Sequence, residues 1–212
     1  MKVHRLAHVK SHIGRQKCFL QARLSTRSEA MNELSWQQSL VDTHLELFVR
    51  TFRGVRFAPG LPLCSNGWQR IVTRLVDRVS EATSSYKVTF IQIVEQHGIL
   101  RVCWTTYSEL PRRVEFAIEE AISLASARSA CTCMECGGEG RLFSSGYRLF
   151  VACDVHQNGN PAPAVHGFQA DYLVRTVMNG RSKLVCSRYD RASDSFIATG
   201  DVIAPAPPPP RC

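Results

Sequence analysis

The chain has 212 residues, 44% of them hydrophobic and 21% charged, the size and balance of one globular domain with a real core. No run approaches the ~18 consecutive apolar residues of a spanning helix, so the sequence predicts no membrane partner. The net charge of +8 is uneven: residues 1–30 hold seven Lys and Arg against one acid, Glu29, while residues 31–212 hold nineteen against seventeen. A body so near neutrality argues against nucleic-acid binding by bulk charge.

Residues 1–30 read as a basic, disordered leader. His4, His8 and His12 would share one face if it were helical. A targeting presequence and sequence lying upstream of the native start are the other readings, and Met31 is favoured as that start. From 32 to 52, Leu34, Leu40, Val41, Leu45, Phe48 and Val49 recur at helical intervals. Arg53-Gly54 through Pro62 breaks that pattern. Ser65-Asn66-Gly67-Trp68 reads as a helix start with a capping side chain. Ile71, Val72, Leu75, Val76 and Val79 then form a buried stripe. Arg70, Arg74 and Arg78 lie on the opposite side, a row that suits phosphate but is read as a solvated face because Asp77 and Glu81 dilute it.

The period changes between Tyr86 and Glu95. Val88, Phe90 and Ile91-Gln-Ile93-Val94 predict a strand. Gln96-His97-Gly98 predicts a turn, and Ile99 to Tyr107 a second strand with Leu100, Val102 and Trp104 alternating. His97 is expected at the exposed tip. The longest helix is expected over 111–130, opened by Pro111. Val114, Ala117, Ile118, Ala121, Ile122 and Ala125 would face inward and Glu115, Glu119 and Glu120 outward. Glu119 and Glu120 do not form an acid/base pair, because adjacent helical residues point about 100° apart.

That helix delivers the chain to Cys133-Met-Glu-Cys136-Gly-Gly, followed by Cys153-Asp-Val-His156. Two ligands in a knuckle, a spacer long enough for a strand, and two more ligands spell a structural site for one zinc ion. A redox Cys-x-x-Cys would open a helix, whereas Gly137, Gly138 and Gly140 follow here. A disulfide would require an oxidising compartment; an odd nine cysteines and a cytoplasmic setting argue against it. Cys131 competes with Cys133 as a ligand, and the two-residue spacing favours Cys133. With four protein ligands no position is left for an activated water, so no catalytic residue is assigned.

Residues 147–152 predict a strand leading into the second ligand pair. A linker is expected over 158–170 and a β-hairpin appendage over 171–198, around Asn179-Gly180. A Pro-rich disordered tail is expected over 199–212. The fold class expected is α+β: helices on a small antiparallel hairpin sheet, forming a core over 31–157 whose zinc-ribbon-like lobe occupies 131–157.

Gly67-Trp68, Glu95, Gly98, Leu100, Arg101, Cys133, Cys136, Gly137, Gly140, Cys153 and His156 together resemble a family of small bacterial and phage proteins. Its pattern runs from a Gly-Trp helix start through a Lys-Glu-Lys-Phe-Gly-x-Leu-Arg hairpin and an Ala/Glu-rich helix to Cys-x-x-Cys-Gly-x-x-Gly and Cys-x-x-His. The resemblance covers about residues 66–157. Val94, Gln96 and His97 stand where the family has Lys, Lys and Phe, so a basic hairpin is missing here. The resemblance implies the architecture and the metal and carries no activity. The function expected is therefore a non-catalytic, zinc-binding module that contacts another macromolecule, a protein rather than a nucleic acid. A nucleic-acid-binding zinc ribbon is the alternative, and a zinc-dependent enzyme the third reading.

Overall fold

The structure, a computed structural model, describes residues 36–161, 172–178 and 181–205. The expectations for residues 1–30, for a start at Met31 and for the turn at Asn179-Gly180 lie outside the described residues. The described residues from Gln37 onward form one compact unit. Its fold is α+β, with helices packed against antiparallel sheets of two or three strands. Among the described residues no helix is long and apolar enough to cross a membrane.

The first helix, α1 over 36–43, stops at His44, whose φ of −124° and ψ of 49° leave helical space. A second, α2 (Leu45–Phe48), resumes on a new phase. This corrects the single helix expected over 32–52. The phase change buries Leu47 and Phe48 and leaves Leu45 41% exposed. Strands β1 (Arg50–Phe52) and β2 (Val55–Phe57) follow as a hairpin around Arg53 and Gly54, at φ of 52° and 79°. Two successive positive φ values match the twist of a tight hairpin.

A 3-10 turn (Asn66–Trp68) leads into α3 (Gln69–Ala82). The stripe Ile71, Val72, Leu75, Val76 and Val79 is buried as its spacing predicts. Ser65 makes no side-chain cap; its carbonyl accepts the Trp68 N–H at 3.0 Å instead. Strands β3 (Val88–Gln96) and β4 (Ile99–Thr106) pair across the His97-Gly98 turn. Their register shifts between Phe90↔Trp104 and Gln92↔Cys103, so Ile91 is an extra residue. An extra residue inverts the side-chain alternation beyond it, which is why Phe90 and Ile93, three apart, are both fully buried.

Helix α4 (Arg112–Ser129) begins just after Pro111 and packs on α3 and β4. Beyond it come β5 (Arg141–Ser145), β6 (Arg148–Ala152) and β7 (Asn160–Pro161), in the order β6-β5-β7. The linker expected over 158–170 thus begins as a third strand, through Phe143↔Pro161 and Ser144↔Asn160. Strands β8 (Tyr172–Met178), β9 (Arg181–Asp190) and β10 (Ser195–Pro205) make the last sheet. The expected two-stranded appendage ending at 198 is therefore three-stranded, and β10 takes the start of the tail expected over 199–212. Val202 and Ile203 supply β-branched residues there, and an edge strand tolerates Pro205.

This sheet packs on the second side of α4 through β8 and β9. Glu119, expected to face solvent, consequently points at Arg175 on β8, 3.3 Å from its Nε. Burial pushes the Glu119 carboxyl upward and the Arg175 charge pulls it partly back. A helix covered on both sides has little purely polar face, which blurs its sequence periodicity.

Candidate metal centre

Three short turns place the candidate ligands. At the end of α4, the Ser129 hydroxyl donates to the Ser126 carbonyl at 2.7 Å and accepts the buried Leu100 N–H at 2.8 Å, tying the helix to β4. Residues 133–138 then fold on themselves: Gly137 N–H donates to the Cys133 carbonyl at 3.0 Å and Cys133 N–H to the Gly138 carbonyl at 2.8 Å. Gly137 holds φ of 73°, a left-handed conformation that glycine adopts without strain. The Met134 N–H donates to Val151 on β6 at 3.0 Å, which docks this knuckle on the strand that ends one residue before Cys153. A final turn, His156 N–H to the Cys153 carbonyl at 3.1 Å, brings the imidazole back.

The result is a group of four side chains, Cys133, Cys136, Cys153 and His156, whose donor atoms all lie within 4.8 Å of one another. The Cys136 and Cys153 sulfurs are 3.8 Å apart, and His156 Nδ1 is 3.7 Å from Cys133 Sγ and 3.2 Å from Cys153 Sγ. In a tetrahedral zinc site, bonds of ~2.3 Å to sulfur and ~2.05 Å to nitrogen give edges of about 3.8 Å (S–S) and 3.6 Å (S–N). A disulfide would need its sulfurs about 2.05 Å apart. The spacing can hold a shared metal ion and is too long for a disulfide. Cys133 is fully buried beside Phe143 and Ala152, while Cys136 and His156 are exposed.

The electrostatics fit the same reading. Burial pushes the Cys133 thiol up, but the amides of Cys136, Cys153 and Glu135 directed at its sulfur outweigh that and bring it below its ordinary value. Cys153 is likewise raised by burial, yet the amides of His156 and Val155 bring it down to about 6. At Cys136 the Gly138 amide lowers the thiol, but burial and two neighbouring sulfurs win and raise it. Hydrogen bonding to the Cys153 and Cys133 sulfurs raises His156. Only the Cys136 thiol is held back from ionising by its neighbouring sulfurs, a repulsion that a bound dication would relieve.

Two parts of the body brace this lobe. Gly67 N–H donates to the Met134 carbonyl at 2.8 Å, and a Cβ on Gly67 would sit 2.4 Å from both the Cys133 and Met134 carbonyl oxygens. The fully buried Trp68 donates its indole N–H to the Thr132 carbonyl at 2.9 Å. The β3–β4 tip supplies Gly98, where a Cβ would meet Leu142 Cδ1 at 2.7 Å. Glu95 accepts the Gly98 N–H at 2.9 Å and closes that tip. Gly67 is needed because backbone passes directly against it, and Gly98 because its φ of 79° is left-handed.

The remaining sequence candidates fall elsewhere. Cys131 Sγ lies 3.3 Å from the Arg128 carbonyl, turned back onto the end of α4 and outside the ligand group. His97 is exposed at the tip. Arg141 pairs with Asp154 at 3.1 Å. Arg74 and Arg78 are not a free solvated row: both bind Asp194, in the turn between β9 and β10, at 2.9 and 3.0 Å. Sequence reasoning did not single out Asp194, since no local pattern announces a partner more than a hundred residues away. Comparison of the chain with models of protein families, with curated proteins and with solved structures finds no match.

Proposed function

We propose that the protein is a non-catalytic zinc-binding module, with one structural Zn2+ held by Cys133, Cys136, Cys153 and His156, that acts by contacting another macromolecule. The observation that carries this reading is the convergence of three sulfurs and one imidazole nitrogen, all within 4.8 Å of one another, the donor set of a structural zinc site. Four protein donors complete a zinc shell and leave no place for an activated water. The ion would lock the knuckle, the β5–β6 hairpin and the Gly67-Trp68 turn together. A reducing, cytoplasmic setting belongs to the proposal, because thiolates bind metal only when unoxidised. The resemblance to bacterial and phage proteins fits that setting.

The partner we favour is a protein. Residues 31–212 carry a net charge of only +2, and Arg141 beside the lobe and Arg74 and Arg78 on α3 engage acids on their own chain. Six of the eight net positive charges sit in residues 1–30. The test is titration of the full zinc-loaded chain with duplex and single-stranded DNA and RNA at low and near-physiological salt. Weak binding that vanishes as salt rises is expected, since each phosphate contact adds to the salt slope. Submicromolar binding at near-physiological salt would replace this reading with the nucleic-acid one.

A further inference from the structure

Away from the ligand group, α3 and α4 diverge over a cleft of about 350 Å³. Its walls follow from the sequence. Ala121 and Ala125, one turn apart on α4, are too small to fill the space opposite α3, and Leu75 and Leu124 form an apolar floor. The rim is cationic: Arg70, Arg74 and Arg78 come from successive turns of α3, and Arg128 from the last turn of α4. One acid, Asp194, lines the cleft with them.

The charges do not balance. Arg74 and Arg78 share a single oxygen, Asp194 Oδ2, at 2.9 and 3.0 Å. The other oxygen accepts the Tyr189 hydroxyl and lies 3.7 Å from Arg128. Four guanidiniums against one carboxylate leave an excess of three positive charges in one concavity. Cations spaced four apart on a helix repel, and Arg70 stands in a first turn with no acid, where the helix dipole disfavours a cation. A fully solvated convex face would disperse such charge; here Arg78 and Arg128 are only 30% and 31% exposed, so their fields are less screened.

We propose that this cleft is a binding site for a compact phosphate-bearing ligand, whose oxygens accept from Arg70, Arg74, Arg78 and Arg128 while Asp194 remains as a built-in counter-ion. Guanidinium forks match the paired oxygens of a phosphate. A multiply charged phosphate group answers the excess of three charges where a single carboxylate cannot. The volume lies at the lower end of the ~300–1,000 Å³ of small-ligand sites, which suits a pyrophosphate or a small phosphate ester over the floor at Leu75 and Leu124. A polynucleotide would need an extended groove tracking many phosphates. The site stands independently of the metal.

The test is calorimetric titration of the full chain with inorganic pyrophosphate, inorganic phosphate and citrate at low and near-physiological salt. Pyrophosphate should bind with one-to-one stoichiometry and more tightly than citrate. Arg70→Gln should weaken it at least tenfold, because Arg70 is exposed and its loss leaves the Asp194 pairs intact. Arg113→Gln, an exposed arginine at the other end of α4, should leave it unchanged. Asp194→Asn should tighten it by removing the competing carboxylate; Arg70→Gln carries the test if that variant fails to fold. No pyrophosphate binding at low salt, equal losses in Arg70→Gln and Arg113→Gln, or tighter binding of citrate would each overturn the proposal. So would single-stranded RNA that binds far more tightly than pyrophosphate and loses affinity in Arg70→Gln.

Discussion

Replacing Gly67 by Ala isolates the contact between the body and the ligand-bearing lobe. The added Cβ would sit 2.4 Å from two carbonyl oxygens and 2.6 Å from the Met134 carbonyl carbon, all backbone atoms with no rotamer to give way. Restoring even a tight 3.0 Å contact requires the segments to part by about 0.6 Å. That movement stretches the Gly67 N–H to Met134 carbonyl bond, now 2.8 Å, toward the limit of hydrogen bonding. Overpacking costs ~1–3 kcal/mol and a weakened buried hydrogen bond ~0.5–1.5 kcal/mol, so we expect a loss of about 2–4 kcal/mol. For a domain of this size that lowers Tm by about 5–15 °C. Urea and thermal unfolding of the zinc-loaded chain are the assays, with Gly146→Ala as the control. Gly146 has a φ of 60° and nothing within 4 Å of its would-be Cβ, so only the left-handed conformation, about 1–2 kcal/mol, is at stake. A Gly67→Ala chain as stable as Gly146→Ala would refute the docking argument.

Trp68→Phe keeps the ring buried but strands the Thr132 carbonyl; a loss of about 1–3 kcal/mol in urea unfolding is expected. Ser129→Ala should cost a similar ~1–3 kcal/mol by leaving the Leu100 N–H unpaired, with faster hydrogen exchange at that amide as its specific sign. Cys131→Ser should retain the metal, because that sulfur faces the α4 carbonyls, and Cys136→Ser should lose it; equal loss in both would point to a different ligand set. A strong chelator should lower the urea midpoint markedly, since zinc binding is worth ~10–16 kcal/mol to small zinc domains. An unchanged midpoint after complete metal removal would contradict a structural role.

Elements with one buried face were legible in sequence. The α3 stripe and the β3–β4 hairpin follow from periods of 3.6 and 2, because burial alone decides those positions, while the span of α4 was marked by Pro111 at its start and the glycine-rich knuckle after its end. The knuckle spacing singled out the four side chains that the structure brings within 4.8 Å, since Cys-x-x-Cys and Cys-x-x-His turns are set locally. What escaped depends on long-range geometry. The break at His44 inverted which of Leu45 and Leu47 is buried, and no glycine or proline marks it. Ile91 as a bulge was invisible because Phe90 and Ile93 satisfy a helix or a strand about equally. Glu119 and Asp194 look like surface acids until β8 and the β9–β10 turn fold back over α4. The end of β10 was hidden by the proline run after it, which suggested disorder from 199 where the edge strand continues to Pro205.

The central claim is that Cys133, Cys136, Cys153 and His156 together bind one zinc ion that holds the lobe in place. The direct measurement is elemental analysis of the full chain and of Cys136→Ser, both purified without chelator and under reducing conditions. The account predicts one zinc per chain in the native protein and a fraction of that in the variant. Well under one zinc in the native protein, or an undiminished content in Cys136→Ser, would contradict it.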